Sequence, residues 1–187
     1  MDLRQAAVAD LISEASHVAN EARTTFGHLT VSQLNWKPSA ERWSVAQCFD
    51  HLLNTNKGYF PIIENVLAGQ KRTFWQSLPA FPGFWGKFVL NAVDPASARK
   101  IRAPKKFQPA QSNISGSVIN DFIDQQSKIV EKMKATEHLE LARIVISSPV
   151  AAPITYTVMD AYRIIVLHEQ RHFQQARRVT EESGFPA

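Results

Sequence analysis

The chain of 187 residues is short of several things, and each shortage closes a class of function. It has one cysteine, Cys48, so no intrachain disulfide and no cysteine-rich zinc finger can form. No apolar run approaches the ~18 residues that a membrane span needs, so a membrane partner is not expected. The opening stretch, MDLRQAAVADLISEA, carries acidic residues and no continuous apolar core. It does not read as a signal peptide, and the expected location is cytoplasmic. Dense charge of one sign is missing too: 21 basic and 17 acidic side chains leave a formal charge of +4. Part of that excess sits in RKIRAPKK, residues 99–106. It forms no recognisable nucleic-acid module, so nucleic acid is not expected as a partner. What remains is ordinary for a soluble globular protein, with 44 % hydrophobic and 20 % charged residues. The length suits one domain over residues 1–187, enough to close a core without cross-links.

Four segments repeat apolar residues at helical spacing. The first carries Val8, Leu11, Ala15, Val18, Ala22 and Phe26 on one stripe. The second starts at Ser44, which makes an S-x-x-Q capping box with Gln47, and continues through Val45, Cys48, Leu52, Thr55, Tyr59, Ile62 and Val66. Pro61 falls inside that pattern and predicts a kink or break. The third runs over about 115–136 with Val118, Phe122, Ile129 and Met133. The fourth starts near Thr157, capped with Asp160, and ends by about Ser183. Residues 69–113 make a long, proline-rich connection containing FWGKFVL, read as a short helix. LARIVISSPVAAPITY is partly β-branched and reads as extended. Trp36 and Trp43 are expected to pin the first connection onto the bundle end. These elements predict an all-α four-helix bundle with long connections.

HEQRH, residues 168–172, matches the zinc-protease signature H-E-x-x-H. A zincin takes a third ligand downstream, a histidine or a glutamate on a later helix, but FQQARRVTEESGFPA holds no histidine, and its Glu181 and Glu182 are expected on the same helix, too far along to return. Nor is there an upstream sheet pattern to hold a peptide substrate. The peptidase reading fails on both counts. At ~100° per residue, His168 and His172 point only ~40° apart, within the apolar stripe of the last helix. His51 borders the stripe of the second. Three histidines from two helices can therefore converge, as ligands do in bundle metal sites. Periodicity alone leaves three readings open: a metal site, a hydrogen-bonded histidine pair, or a partly exposed pair. His17, His28 and His138 read as surface residues. Cys48, one turn before His51, reads as a buried thiol packing as a small hydrophobe, with a fourth-ligand role as the alternative.

Three blocks carry a family resemblance: LNWKPSAERWSVAQCFDHL (34–52), APKKFQP (103–109) and ITYTVMDAYRIIVLHEQRHFQQARRV (154–179). In order and spacing they resemble the DinB/YfiT-like superfamily of four-helix-bundle metalloproteins. That resemblance covers essentially the whole chain. It implies a divalent metal on His51, His168 and His172, zinc first, with nickel or iron as alternatives. Members of that superfamily include transferases that use low-molecular-weight thiols, so it implies a thiol-dependent S-transferase-like protein or a hydrolase acting on a small-molecule electrophile. The alternative is a non-catalytic stress-response or binding protein with a structural or vestigial metal site. Glu169 is a candidate base or partner of a ligand histidine, with a solvated helix position as the other reading, and Asp50 has the same two. Arg171 is a candidate to receive an anionic thiol cofactor. The aromatic loop 74–88 is expected either to cover the metal or to cap a core end or dimer contact, and a homodimer is expected.

Overall fold

The computed structural model describes residues 2–78, 81–97, 105–110 and 113–187. Most of the basic run 99–106 and the side chain of Phe81 lie outside what is described. The elements in chain order are α1 (Val8–Phe26), α2 (Val31–Asn35), α3 (Val45–Lys57), α4 (Phe60–Leu67), α5 (Phe81–Val93), α6 (Val118–Thr136), β1 (Val145–Ser147), β2 (Thr155–Thr157) and α7 (Val158–Thr180). The chain is predominantly helical, as the apolar spacing requires. α1 packs on α6 and α7, and α3 packs on the same two, so these four close the bundle.

Local chemistry sets the boundaries. Ser44 Oγ accepts from the Gln47 backbone N–H at 3.1 Å, and Gln47 Oε1 accepts from the Ser44 N–H at 3.2 Å. That capping box fixes where α3 begins, and hence the register of His51. Thr157 Oγ1 accepts from the Asp160 N–H at 3.0 Å and does the same for α7. The break expected at Pro61 is real: α3 stops at Lys57, and Pro61 falls in the first turn of α4. A missing N–H costs nothing there, because no intrahelical acceptor exists. The β-branched stretch forms a hairpin, with Val145 opposite Thr157 and Ser147 opposite Thr155.

The long connection contributes α5, which lies against α7 and β2. Gly86 allows that approach: a Cβ there would stand 2.9 Å from Asp160 Oδ2. Trp36 packs edge-on against Phe185, 5.6 Å between ring centres, and so pins the first connection as expected.

The core is divided. One apolar cluster takes Leu11 and Ala15 of α1, Ile129 and Met133 of α6 and residues up to Leu167 of α7. The other takes Val18 to Phe26 of α1, Val45 to Leu52 of α3, Phe122 and Ile123 of α6 and α7 from Phe173 on. Between them the buried residues are polar: His51, Asn56, Gln125, Gln126, Glu169 and His172. Burying such groups is unfavourable unless each is bonded to something, so this layer is where chemistry is to be sought.

Candidate metal centre

α3 brings His51 into the polar layer and α7 brings His168 and His172, one turn apart. One ring nitrogen from each lies within 4.8 Å of the others. His51 Nε2 and His168 Nε2 are 3.2 Å apart. The rings pack edge-on, with centres 4.6 to 5.0 Å apart. His51 and His172 are buried, while His168 keeps partial exposure.

His51 Nδ1 faces the backbone carbonyl of Phe107 at 2.5 Å. A carbonyl only accepts, so Nδ1 carries the proton and Nε2 presents its lone pair to the other histidines. The segment bearing that carbonyl is held by α3 itself. Asp50 Oδ2 accepts from the Ala110 N–H at 2.9 Å, and Gln47 Nε2 donates to the Ala110 carbonyl at 3.0 Å. Trp43 packs on the second apolar cluster, as an anchor of the connection should, and it also lies against the histidines. Its ring stacks on His172 at 5.5 Å and 21°, and is tilted against His51 at 5.0 Å.

The electrostatics keep all three imidazoles neutral. Burial holds the His51 pKa down, against the Phe107 carbonyl and Asp50, which raise it. His168 lies well below the usual value through burial, then through His172, His51 and Arg171. His172 is pushed down to about 3 by burial, with His51 and Arg171 adding to it. A neutral imidazole is the form that binds a metal.

These residues fit a divalent ion. Two nitrogens bound at ~2.0–2.1 Å to a tetrahedral ion stand about 3.3 Å apart, close to the spacing of His51 and His168. His172 Nδ1 is buried without a hydrogen-bond partner. His51 Nε2 and His168 Nε2 are within hydrogen-bond reach of each other, while His172 Nδ1 has no partner, and the three histidines together are positioned to take a metal ion.

The other candidates are distributed as follows. Glu169 is fully buried, and its Oε1 accepts from Asn56 Nδ2 and Gln126 Nε2, each at 2.7 Å. Burial raises its carboxyl to about 7, against the lowering by Gln126 and Asn56. Its hydrogen-bond partners are thus amides, not histidines, and the solvated reading does not apply. Arg171 donates to the carbonyls of Asp94 at 2.8 Å and Ser97 at 3.4 Å, tying α7 to the end of α5. Cys48 is buried in the apolar cluster beside Phe49 and Leu52 and is not part of the histidine group. His17, His28 and His138 are exposed, as expected. Sequence reasoning missed Trp43 and the Phe107 carbonyl as neighbours of His51. It also missed Asn56 and Gln126, although Gln126 interrupts the apolar stripe of α6 between Phe122 and Ile129.

A family model described as the DinB superfamily matches residues 14–176. The chain belongs to that superfamily. Among curated proteins it is similar to "Uncharacterized protein YuaE" of Bacillus subtilis (strain 168), 27 % identical over 169 residues, covering 88 % of this chain and 96 % of the relative. No solved structure matches the chain significantly.

Proposed function

We propose that this protein is a metal-dependent enzyme in which His51, His168 and His172 hold a divalent ion, with zinc the first candidate. The single observation that carries the reading is the convergence of three histidines within 4.8 Å, with no fourth histidine, cysteine or carboxylate in the group among the described residues. Structural zinc sites are closed by four protein ligands, whereas catalytic ones keep a position for an exogenous molecule. A divalent ion there supplies Lewis acidity, which favours the thiolate of a low-molecular-weight thiol or the ionised form of a water. In this reading the Phe107 carbonyl holds His51 in the tautomer a ligand needs. Trp43 walls one side and keeps water from it. Partial exposure of His168 gives the direction from which a small electrophile or thiol arrives. Arg171, whose charge acts on both α7 histidines, is the candidate to receive an anionic thiol. The reactions that suit this arrangement are S-transfer from the thiol to an electrophile, or hydrolysis.

Burial of His51 and His172 favours a second reading, a non-catalytic protein with a structural site. Elemental analysis of the wild type beside His51→Ala, followed by a thiol-transfer and ester-hydrolysis panel, separates the two. About one ion per chain, lost in the variant together with turnover, supports the enzyme. Bound metal with no turnover of any panel member supports the structural site. Absence of metal in both proteins, even after reconstitution with zinc and with nickel, overturns both.

A further inference from the structure

We propose that the face made by residues 71–77 and α5 docks the protein on an anionic lipid surface, independently of what the histidines do. The first observation is how charge is divided along the chain. Residues 65–120 contain eight of the 21 basic side chains and one of the 17 acidic ones, a net +7. The remaining residues carry 13 basic and 16 acidic groups, a net −3. The mild excess of the whole chain therefore hides a strongly basic stretch of sequence, of which Lys71, Arg72 and Lys87 are exposed on the face in question.

The second observation is independent of charge. Phe74, Phe84, Phe88 and Trp75 are 71, 65, 47 and 39 % exposed. They are four of the seven exposed large hydrophobics among the described residues, and none of the seven lies on α1, α3, α6 or α7. Phe84 and Phe88 stand one turn apart on α5 with exposed Lys87 beside them, and exposed Lys71 and Arg72 precede Phe74 and Trp75. Both groups are set on the hairpin, the turn at Trp75–Ser77 against β1 and α5 against β2. Exposed rings bordered by lysine and arginine are what an interfacial helix presents to headgroups. α5 has 13 residues, short of the ~20 a span requires, so it would lie in the plane of the interface.

Two other occupants fit less well. An isologous contact with a second copy would bring the same basic patch from each copy together, with little acidic charge to offset it. The one acidic residue in the segment, Asp94, already sits 3.5 Å from Arg4. Single-stranded nucleic acid wants rings standing free for bases to stack on. Here Phe84, Trp85 and Phe88 pack edge-on against each other, at 74° and 88°.

The test is co-sedimentation of the full chain with vesicles of phosphatidylcholine alone and of phosphatidylcholine mixed with phosphatidylglycerol. Binding only to the mixed vesicles is expected, weakened by salt and accompanied by a blue shift of tryptophan emission. Phe84→Asp with Phe88→Asp should weaken it at least tenfold, and Lys87→Ala about fivefold. Circular dichroism and metal content of both variants should match the wild type, since the substituted side chains are exposed and remote in sequence from the histidines. The proposal is overturned by no binding at low salt, by equal binding to phosphatidylcholine alone, or by variants that bind unchanged. It is overturned equally if vesicles are ignored while the chain dimerises through this face, or if a single-stranded oligonucleotide binds in their place.

Discussion

Cys48 and Glu169 are both fully buried on the two helices that carry the histidines, and burial acts on them in different ways. For Cys48 it simply suits the residue: the thiol packs as a small hydrophobe, and its pKa is raised by desolvation, so thiolate does not form. The folded protein should therefore leave a thiol reagent such as dithionitrobenzoate unreacted, and one thiol per chain should appear on unfolding. Rapid labelling of the native state would mean that the residue is reachable and ionised, against this packing. For Glu169 burial opposes the charge, and the Asn56 and Gln126 amides only partly restore it. An acid whose pKa is raised from 4.5 to about 7 on folding binds more protons in the folded state between those values. Its contribution to stability is full below pH 4.5 and is lost as pH rises through about 7. Glu169→Gln keeps an acceptor for both amides and removes the titration, so it should need more urea to unfold than the wild type at pH 8, with the gain shrinking toward pH 4.5. Glu169→Ala removes the acceptor and should cost about 1–3 kcal/mol for each orphaned donor. Paired urea curves at the two pH values check both variants. If Glu169→Gln proved the less stable at pH 8, the amides would be shown to need the full carboxylate charge.

Between the residue and the fold, the decisive unit is α3 together with the short segment 105–110 strapped across it. The strap puts the Phe107 carbonyl on His51 Nδ1, and Asp50 holds the strap by accepting from Ala110. Losing such an outer partner of a ligand histidine weakens metal binding by roughly 10–100-fold. Asp50→Ala should therefore lower zinc affinity by that order in a chelator competition while leaving helical content intact. Unchanged affinity would show that the strap does not orient His51. This element also shows where sequence reading stops. The start of α3, its apolar stripe and the inward side of His51 follow from Ser44, Gln47 and 3.6-residue spacing, because those are local and periodic. So do the His168–His172 pair and the break at Pro61. The Phe107 carbonyl leaves no mark, because a backbone acceptor has no letter of its own and meets His51 across 56 positions. Trp43 was legible as an anchor but not as a ring over the histidines, since it lies just before the helix, where periodicity has no hold. Gln126 was legible in principle: a polar side chain within an apolar stripe asks for a buried partner, and Glu169 is that partner.

At the scale of the whole molecule the polar layer divides the core, and the tyrosines report on one half of it. All three, Tyr59, Tyr156 and Tyr162, belong to the cluster that holds Leu11, Met133 and Ile165. Tyr59 and Tyr156 share a hydrogen bond of 2.8 Å, and Tyr162 pairs with Thr136 at 2.7 Å. Burial raises each phenol, Tyr156 to about 12 and Tyr59 well above the usual value. A raised folded pKa means that the unfolded chain gives up these protons first. The stabilisation is whole below pH 10 and falls away as pH climbs from 10 toward 12. Phenolate absorbance should therefore stay low through pH 10 and then rise in one step for all three tyrosines, together with loss of helical circular dichroism. Trp36 and Trp43 pack against the opposite cluster, so in a variant with Trp75→Phe and Trp85→Phe their fluorescence reports on the other half in the same titration. If the four helices unfold as one unit across the layer, the two signals should coincide. Tryptophan emission lagging behind phenolate formation would mean that the half containing the tyrosines opens alone. A gradual phenol titration near pH 10 with helicity intact would mean that the tyrosines are not buried as described.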